Sequence, residues 1–562
     1  MLTTSRTAAA RLIRRTRTTF RQQLALCALR GRAFLYTARP ATSLTGTSSL
    51  NPGIPRLSNV TRSDAQKQTI YALSTPPGKG GVAVIRVSGP EAFEVWQRIV
   101  RPHKPKSKPT PWKLERCQIV HPETNEIIDD GLSVFFQAPR SFTAEPTLEL
   151  HTHSGRALLA TLLNALSTLS FLRPAEPGEF TRRAFLNGRL DLTEVEGLAD
   201  LIDAETEEQR KIAGRGARGE VRKVFDDLRA RIIHCLAQVE ALIDFGEGED
   251  LEEGVYDQAR EEAQRLLVRI QSYLADNRRG EIIRSGIKLA IFGPPNAGKS
   301  SLLNYLAQRE VAIVTHIPGT TRDVLQLTLD IGGMPVIVAD TAGLRKTDDI
   351  VETIGIGKGL DAIKEADIAL CVLSLPEVIT TTTLSGLGGK HVVGLPEALR
   401  ELATSPNTYF ILNKADLMNQ SFNSDNLVFD HSAPSSTSDS RPFSQDRIWI
   451  MSLSKQQGTS DFLERFGQEL HRLFSPVSSP TSQADGKEIN IAQAPIITRA
   501  RHRVHLESAC MFLQAFLECP QEDIVLAAEE LRYAARALGK VSGTIDVEDI
   551  LDAVFRDFCI GK

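Results

Sequence analysis

The residues best suited to chemistry lie between Gly293 and Asp416. Gly293-Pro-Pro-Asn-Ala-Gly-Lys299-Ser300 fits the pattern GxxxxGK[ST]. Glycines let a backbone wrap phosphates, with successive N–H groups turned inward at a helix start. In this loop Asn296, Ala297, Gly298, Ser300 and Ser301 would line the phosphates. Lys299 brings a point charge to the terminal phosphates, and the Ser300 hydroxyl is placed to ligate magnesium. Asp340-Thr341-Ala342-Gly343 follows the apolar run PVIV. An acid there can hold magnesium through water, and the Gly343 N–H can reach a terminal phosphate. Asn413-Lys414-Ala415-Asp416 follows YFIL. A carboxylate at Asp416 can accept from the N1–H and 2-amino groups of guanine, donors that adenine lacks. Ser452-Leu453-Ser454 stands where a Ser-Ala-Lys-like loop usually makes the third purine contact. Three motifs in this order, each after an apolar run, predict a guanine nucleotide site.

Between the first two motifs lies HIPGTTRD, with Thr320 and Thr321. Thr321 is the candidate switch threonine, completing the magnesium shell only when a γ-phosphate is present; a capped turn is the alternative. Many GTPases orient the attacking water with a Gln directly after the DTAG glycine, but here that position is Leu344. Two residues offer a substitute. The Asn296 side-chain oxygen suits a monovalent cation, and Glu352 could orient water as a carboxylate, although a solvated helix residue is its plainer reading.

These motifs need elements to hold them. Ile287–Phe292 reads as a buried strand before the phosphate loop, and Ser301-Leu-Leu-Asn-Tyr-Leu opens a helix after it. Residues 285–475 read as an α/β domain. Residues 65–185 alternate strand-like runs and turns with one helical stretch, ALLATLLNALSTL, which predicts a small α+β domain. No proline occurs from Gly178 to Gly293, and 496–562 contains only Pro520. Both stretches read as long amphipathic helices. The simplest organisation is an α/β domain inserted into a helical domain of two pieces, 186–284 and 476–562, the latter including a linker. Ser-rich text at 419–446 and 475–494 fits disordered, solvated loops.

Composition bounds the rest. The chain has 562 residues, 41% of them hydrophobic, enough for several folded units. No apolar run reaches the roughly 18–20 residues of a membrane span. Seven cysteines without a CxxC pair argue against a disulfide scaffold or zinc ribbon. Residues 1–63 hold eleven Arg, no Lys and no acid, the composition of a mitochondrial presequence; a disordered basic tail that binds nucleic acid is the alternative. Without those arginines the net charge falls from −3 to −14, so contact with RNA must be local or supplied by a partner.

GPPNAGKSS, HIPGTTRDVL, DTAGLRK…VETIGI and NKAD resemble the MnmE family of tRNA-modification GTPases. So do TIYALSTPPGKGGVAVIRVSG, PGEFTRRAFLNGRLDLTEVEGLADLIDA and the closing Phe558-Cys-Ile-Gly-Lys562, and with the presequence the chain is similar to the mitochondrial form. The resemblance covers roughly 68–562, outside the Ser-rich stretches.

The resemblance implies a multidomain protein: an N-terminal α+β folate-binding and dimerising domain, a discontinuous all-α domain and an inserted P-loop GTPase domain. It implies a constitutive homodimer and potassium held by Asn296, Thr315, Ile317 and Thr320 in place of an arginine finger. By the same matching Glu352 becomes the water-orienting carboxylate. Lys299 and Thr321 join it in catalysis, Ser300 and Thr321 hold magnesium, and Ser452 meets the purine. Arg86, Glu149, Arg189 (where lysine is common) and Lys562 fall at positions that bind a 5-formyl- or methylene-tetrahydrofolate derivative. An FAD-binding partner of the MnmG type and mitochondrial tRNA complete the expected system. The expected reaction installs a carboxymethylaminomethyl-type or taurine-derived group at carbon 5 of uridine 34, in the mitochondrial matrix. Cys559 stands open between nucleophile and buried hydrophobe; His151 and His153 share a strand face without a third metal ligand. Two rivals are a mitochondrial ribosome-assembly GTPase and a non-catalytic GTP-gated scaffold.

Overall fold

A computed structural model of the chain describes residues 68–245, 254–309, 313–315, 326–338, 365–380, 391–396, 399, 407–418, 427–429, 447–475, 495–545, 555, 558 and 561. The arginine-rich segment 1–63, Ile317, Thr320, Thr321, Asp340–Gly343, Glu352, Cys559 and Lys562 lie outside the described residues, as do 419–426, 430–446 and 476–494 of the Ser-rich stretches.

Seven strands form the N-terminal sheet: β1 (Thr69–Leu73), β2 (Gly80–Ser88), β3 (Val100–Pro102), β4 (Glu115–Val120), β5 (Ile127–Phe136), β6 (Thr147–Ser154) and β7 (Leu172–Pro174). Their order is β3-β4-β5-β6-β2-β1-β7, antiparallel except for the β1–β7 pair. Alternation along β6 turns Leu148 and Leu150 into a core with Ile85, Val87 and Ile119. Helices α1 (Ala92–Ile99) and α2 (Arg156–Ser167) close that core with Trp96, Leu162 and Leu166.

Six further helices or turns of helix follow: α3 (Glu179–Leu186), α4 (Leu192–Asp203), α5 (Glu207–Ala217), α6 (Glu220–Phe245), α7 (Val255–Leu274) and α8 (Arg279–Ser285). Asp191 and Thr206 close capping boxes on α4 and α5, which fixes where each begins. The two helices touch through glycines: a Cβ on Gly197 would stand 2.4 Å from the Ala217 nitrogen.

Helix α8 runs into a second sheet, built from β8 (Ile287–Phe292), β9 (Ile313–Thr315), β10 (Gln326–Ile331), β11 (Met334–Val338), β12 (Ile368–Ser374), β15 (Thr408–Asn413) and β17 (Ile448–Ile450). The order is β17-β15-β12-β8-β11-β10-β9; the first five are parallel, and β10 and β9 add antiparallel at one edge. Every residue of β12 and β15 is buried, as central parallel strands require. Helices α9 (Lys299–Arg309), α10 (Leu375–Val378) and α11 (Thr459–Phe474) flank the sheet.

The stretch 419–446, read as irregular throughout, needs one correction. It contains a strand, β16 (Leu427–Phe429), which pairs in parallel with β14 (His391–Val393) in a small sheet that also holds β13 (Ile379–Thr380). Leu-Val-Phe is an apolar triplet amid polar text, and Leu427 is buried.

The chain then returns to the first helices. α12 (Ala500–Glu518) and α13 (Ile524–Ser542) pack with α6 and α7 in one core, where Phe225, Leu228, Leu266 and Ile270 meet Leu506, Leu513, Phe516 and Leu531. Three arginines at the start of α12 bind the surrounding elements. Arg499 donates to Asp200 of α4 at 2.7 Å, Arg501 to Glu196 at 3.0 Å and to the Lys540 carbonyl at 2.7 Å, and Arg503 to Glu281 of α8 at 2.8 Å. Glu196 and His502 are both buried and bond each other at 2.9 Å. Burial alone would raise the Glu196 pKa, but His502 and the charges of Arg501 and Arg499 hold it down at about 2.

Candidate functional site

Strand β8 delivers the phosphate loop to the N-terminus of α9. Gly293 has φ +143° and Gly298 has φ +106°, backbone that side chains strain. There is no room for a side chain at either position: a Cβ on Gly293 would stand 2.0 Å from the Val372 carbonyl oxygen, and one on Gly298 2.1 Å from Asn413 Nδ2. Asn296 is exposed with φ 58°, while Ala297 is buried beneath the loop. Lys299 Nζ donates to the carbonyls of Gly293 at 2.9 Å and Pro294 at 2.7 Å. The ammonium thus folds over the loop's own oxygens, where a terminal phosphate would offer stronger acceptors. Burial pushes its pKa below the ordinary lysine value. Beneath it on β12, burial drives the Cys371 thiol up to about 12, which makes it an inert packing residue. Ser300 and Ser301 are exposed in the first turn of α9, where a hydroxyl can meet a hydrated cation.

Asn413 joins two of the motifs. Its buried amide donates to the Ala297 carbonyl at 2.9 Å and accepts from the Leu453 N–H at 3.1 Å. One side chain therefore ties the phosphate loop to the third purine loop. Lys414 has φ 64°, which turns the chain so that Asp416 projects from the sheet's end. The Ser452 hydroxyl donates to Asp416 Oδ1 at 2.6 Å, and Ser454 lies 3.4 Å from Oδ2. The Ser452 hydrogen bond holds the Asp416 carboxyl below the usual carboxylate range. The carboxylate is thus ionised and lined up to accept further donors on its oxygens. Ser452 is itself held by paired backbone bonds with Gln457. The structure brings Asn296, Ala297, Gly298, Lys299, Ser300, Ser301, Asn413, Lys414, Asp416 and Ser452 together around the ends of β8 and β15. Thr315 ends edge strand β9, two strands beyond β11. The tie from Asn413 to Ala297, 116 residues apart, leaves no trace in the spacing of the motifs.

A second cluster forms on the N-terminal sheet. Arg86 on β2 and Glu149 on β6 are cross-strand partners, joined at 2.9 Å. The guanidinium lies over Phe142 at 5.2 Å and Phe180 at 5.7 Å, two rings absent from the sequence reading. Burial works to raise the Glu149 pKa, but His151 and Arg86 outweigh it and keep the carboxyl ionised. His151 Nε2 is buried and faces the Glu149 carboxylate at 3.6 Å. An ionised acid beside a guanidinium offers acceptors and donors side by side on one face of the sheet. His153 instead pairs with Asp129 at 2.9 Å, and no metal-ligating cluster occurs among the described residues. Arg189 is exposed just beyond α3.

The closing motif reaches this domain. The Ser74 hydroxyl donates to the Gly561 carbonyl at 3.0 Å, and Gly561 has φ +96° with the Leu73 carbonyl 2.2 Å from where a Cβ would stand. Phe555 and Phe558 pack with Phe185, Leu192 and Val195. Gly561, the neighbour of Lys562, thus lies against the end of β1, a contact spanning 487 residues, while Phe558, the neighbour of Cys559, packs against α3 and α4.

The chain is similar to known proteins along most of its length. A family model described as "MnmE helical domain" matches residues 192–559, and one described as "GTP-binding protein TrmE N-terminus" matches 69–189. A zebrafish (Danio rerio) protein named "5-taurinomethyluridine-[tRNA] synthase subunit GTPB3, mitochondrial" is 40% identical over 502 residues, covering 88% of this chain and 93% of its own. A "tRNA modification GTPase MnmE" from Parvibaculum lavamentivorans is 42% identical over 498 residues, 88% of this chain and all of its own. Among solved structures, the G domain of the T. maritima FeoB iron transporter aligns over 32% of this chain and 97% of its own, at 16% identity and a TM-score of 0.19.

Proposed function

The chain belongs to the MnmE family of tRNA modification GTPases, and from that membership we propose that GTP hydrolysis at the Gly293–Ser300 loop drives a tRNA wobble-uridine modification in mitochondria. The protein is a GTPase of tRNA modification, and a mitochondrial relative supports that location. The finer reading is a carboxymethylaminomethyl-type or taurine-derived group placed at carbon 5 of uridine 34, in the matrix, by a homodimer working with an FAD-binding MnmG-type protein.

One observation carries the nucleotide half of this reading: Asn413 ties the phosphate loop to the loop whose Ser452 orients Asp416. A purine held by Asp416 would therefore fix where the phosphates meet Lys299. Backbone N–H groups and Lys299 would bind and neutralise the phosphate oxygens, holding the terminal phosphoryl in line for water. Ser300 and Thr321 would hold magnesium, which spreads the developing charge. Asn296, Thr315, Ile317 and Thr320 would hold potassium, whose charge would stand where other systems bring an arginine. Glu352 would orient the attacking water by accepting its hydrogen bond.

Arg86, Glu149, Arg189 and Lys562 would bind the folate derivative, the source of a one-carbon unit. Support comes from the ionised Glu149 paired with Arg86 and from the Gly561 contact with Ser74 in the same domain. Residues 65–185, 186–284, 285–475 and 476–562 serve as the working divisions.

The deciding experiment is mass spectrometry of wobble uridines in mitochondrial tRNA from cells with and without the protein. Loss of the modified base supports the reading; an unchanged base removes it. A Glu352→Ala variant separates drive from scaffold. If turnover collapses while modified tRNA persists, hydrolysis is not the drive.

A further inference from the structure

The turn between β10 and β11 is gripped from two sides. Gly332 and Gly333 form it, with φ +62° and +86°, and the Gly333 N–H donates to Asp330 Oδ1 at 2.7 Å. On one side the Glu208 N–H, in the first turn of α5, donates to the Gly333 carbonyl at 3.2 Å. On the other, His471 Nε2 of α11 lies 2.7 Å from the Gly332 carbonyl, with Nδ1 3.0 Å from the Ser475 hydroxyl. A Cβ on Gly332 would stand 3.3 Å from the Gly467 Cα, so backbone meets backbone.

The position of this turn in the chain is what matters. Strand β10 directly follows the segment with Thr320 and Thr321, and β11 ends two residues before Asp340. The hairpin is therefore the covalent link between the two segments expected to sense a γ-phosphate. Helix α5 in turn packs on α4 through Gly197 and Gly216, and α4 carries Glu196 and Asp200, the residues that Arg501, Arg499 and Arg284 hold. A pocket of about 120 Å³ lies between α4, α5, α8 and the start of α12, and His502, whose Nδ1 has no hydrogen-bond partner, forms part of its wall. A shift of the hairpin along its strands would press on the α5 N-terminus, which it touches through the Glu208–Gly333 bond.

We propose that the Gly332–Gly333 turn is the contact through which nucleotide state reaches the helical domain, with His471 as the residue that positions it. This rests on the reading that hydrolysis drives modification.

A reversible crosslink tests it. A Cβ on Gly333 would stand 3.8 Å from Glu207 Cβ, inside the range that a disulfide spans. The Glu207→Cys/Gly333→Cys protein, full length, is assayed with its FAD-binding partner, tRNA and GTP, before and after oxidation by oxidised glutathione. Because Gly333 has a left-handed φ, the reduced form and each single cysteine variant serve as folding controls. The expected result is GTP turnover within about twofold of the reduced form, modification reduced at least tenfold, and recovery on reduction. Unchanged modification under complete crosslinking overturns the proposal. So does joint loss of turnover and modification, since the turn would then serve catalysis itself.

A second pair of variants avoids the glycine. His471→Leu removes the donor to Gly332 and should lower modification per GTP hydrolysed at least fivefold, whereas His471→Gln, which can still donate, should restore it. Equal coupling in both variants overturns the role of His471. Glu352→Ala isolates the parent reading. If that variant still modifies tRNA, the hydrolysis drive fails whatever the crosslink does; if it does not, and the crosslinked protein modifies normally, only the present proposal fails.

Discussion

Replacing Gly298 with alanine should separate the phosphate loop from the purine loop. The new Cβ would meet Asn413 Nδ2 at 2.1 Å, on an amide fixed at its other end by the Leu453 N–H. Relief requires the loop to back away, which breaks the Asn413–Ala297 bond. Nucleotide binding must then push it back. The left-handed backbone costs about 1–2 kcal/mol with a side chain. Losing the hydrogen bond and stranding a buried amide costs about 1–3 kcal/mol more. A total of about 2–5 kcal/mol, at 1.4 kcal/mol per decade, weakens binding roughly thirty- to several-thousand-fold. The assay is equilibrium titration with a fluorescent GDP analogue, run on the single variant and on Gly298→Ala/Asn413→Ala. In the double variant the clash is gone, so the second substitution should cost far less than its separate effect. Affinity for Gly298→Ala within threefold of the parent, or strict additivity in the double variant, would refute the argument.

Other outcomes follow from the same reasoning. Glu196→Ala strands Arg501 and His502 without their acid and should lower stability by about 3–5 kcal/mol, read by chemical denaturation. Because the folded Glu196 pKa lies at about 2, its contribution should be whole above the model-peptide range near 4.5 and fade as pH falls from there towards 2; Glu196→Gln should flatten the stability profile in that window. Gly561→Ala places a Cβ 2.2 Å from the Leu73 carbonyl and should cut folate-derivative binding at least tenfold by calorimetry, with GTP turnover unchanged. Exchanging potassium for sodium should slow GTP turnover at least tenfold in a phosphate-release assay if Asn296 holds the ion as proposed.

Much of the nucleotide region was legible because its chemistry is local. A phosphate loop must be glycine-rich and must sit between a strand and a helix, so Gly293–Ser300 carries its own context. The family was legible for the same reason, from contiguous motifs. What stayed hidden depends on distance in the chain. Arg499, Arg501 and Arg503 sit close together in sequence, yet between them they reach α4, α8 and α13. Phe142 and Phe180 flank Arg86 from separate segments, and nothing in their spacing marks them as a pair. The triplet Leu427–Phe429 was too short to stand out from its polar surroundings until β14 provided a neighbour.

The helical core joins residues up to Ile270 with residues from Ile496 onward. A ribosome adding about 5–20 residues per second needs roughly 10–45 s to cross that gap. Throughout it, Phe225, Leu228, Leu266 and Ile270 wait without the partners that later cover them, while an entire nucleotide-binding unit is being made. Newly made chains therefore pass through a long sticky interval. Slower translation or a delayed GTPase fold should show up first as aggregation and chaperone demand, before any defect in catalysis.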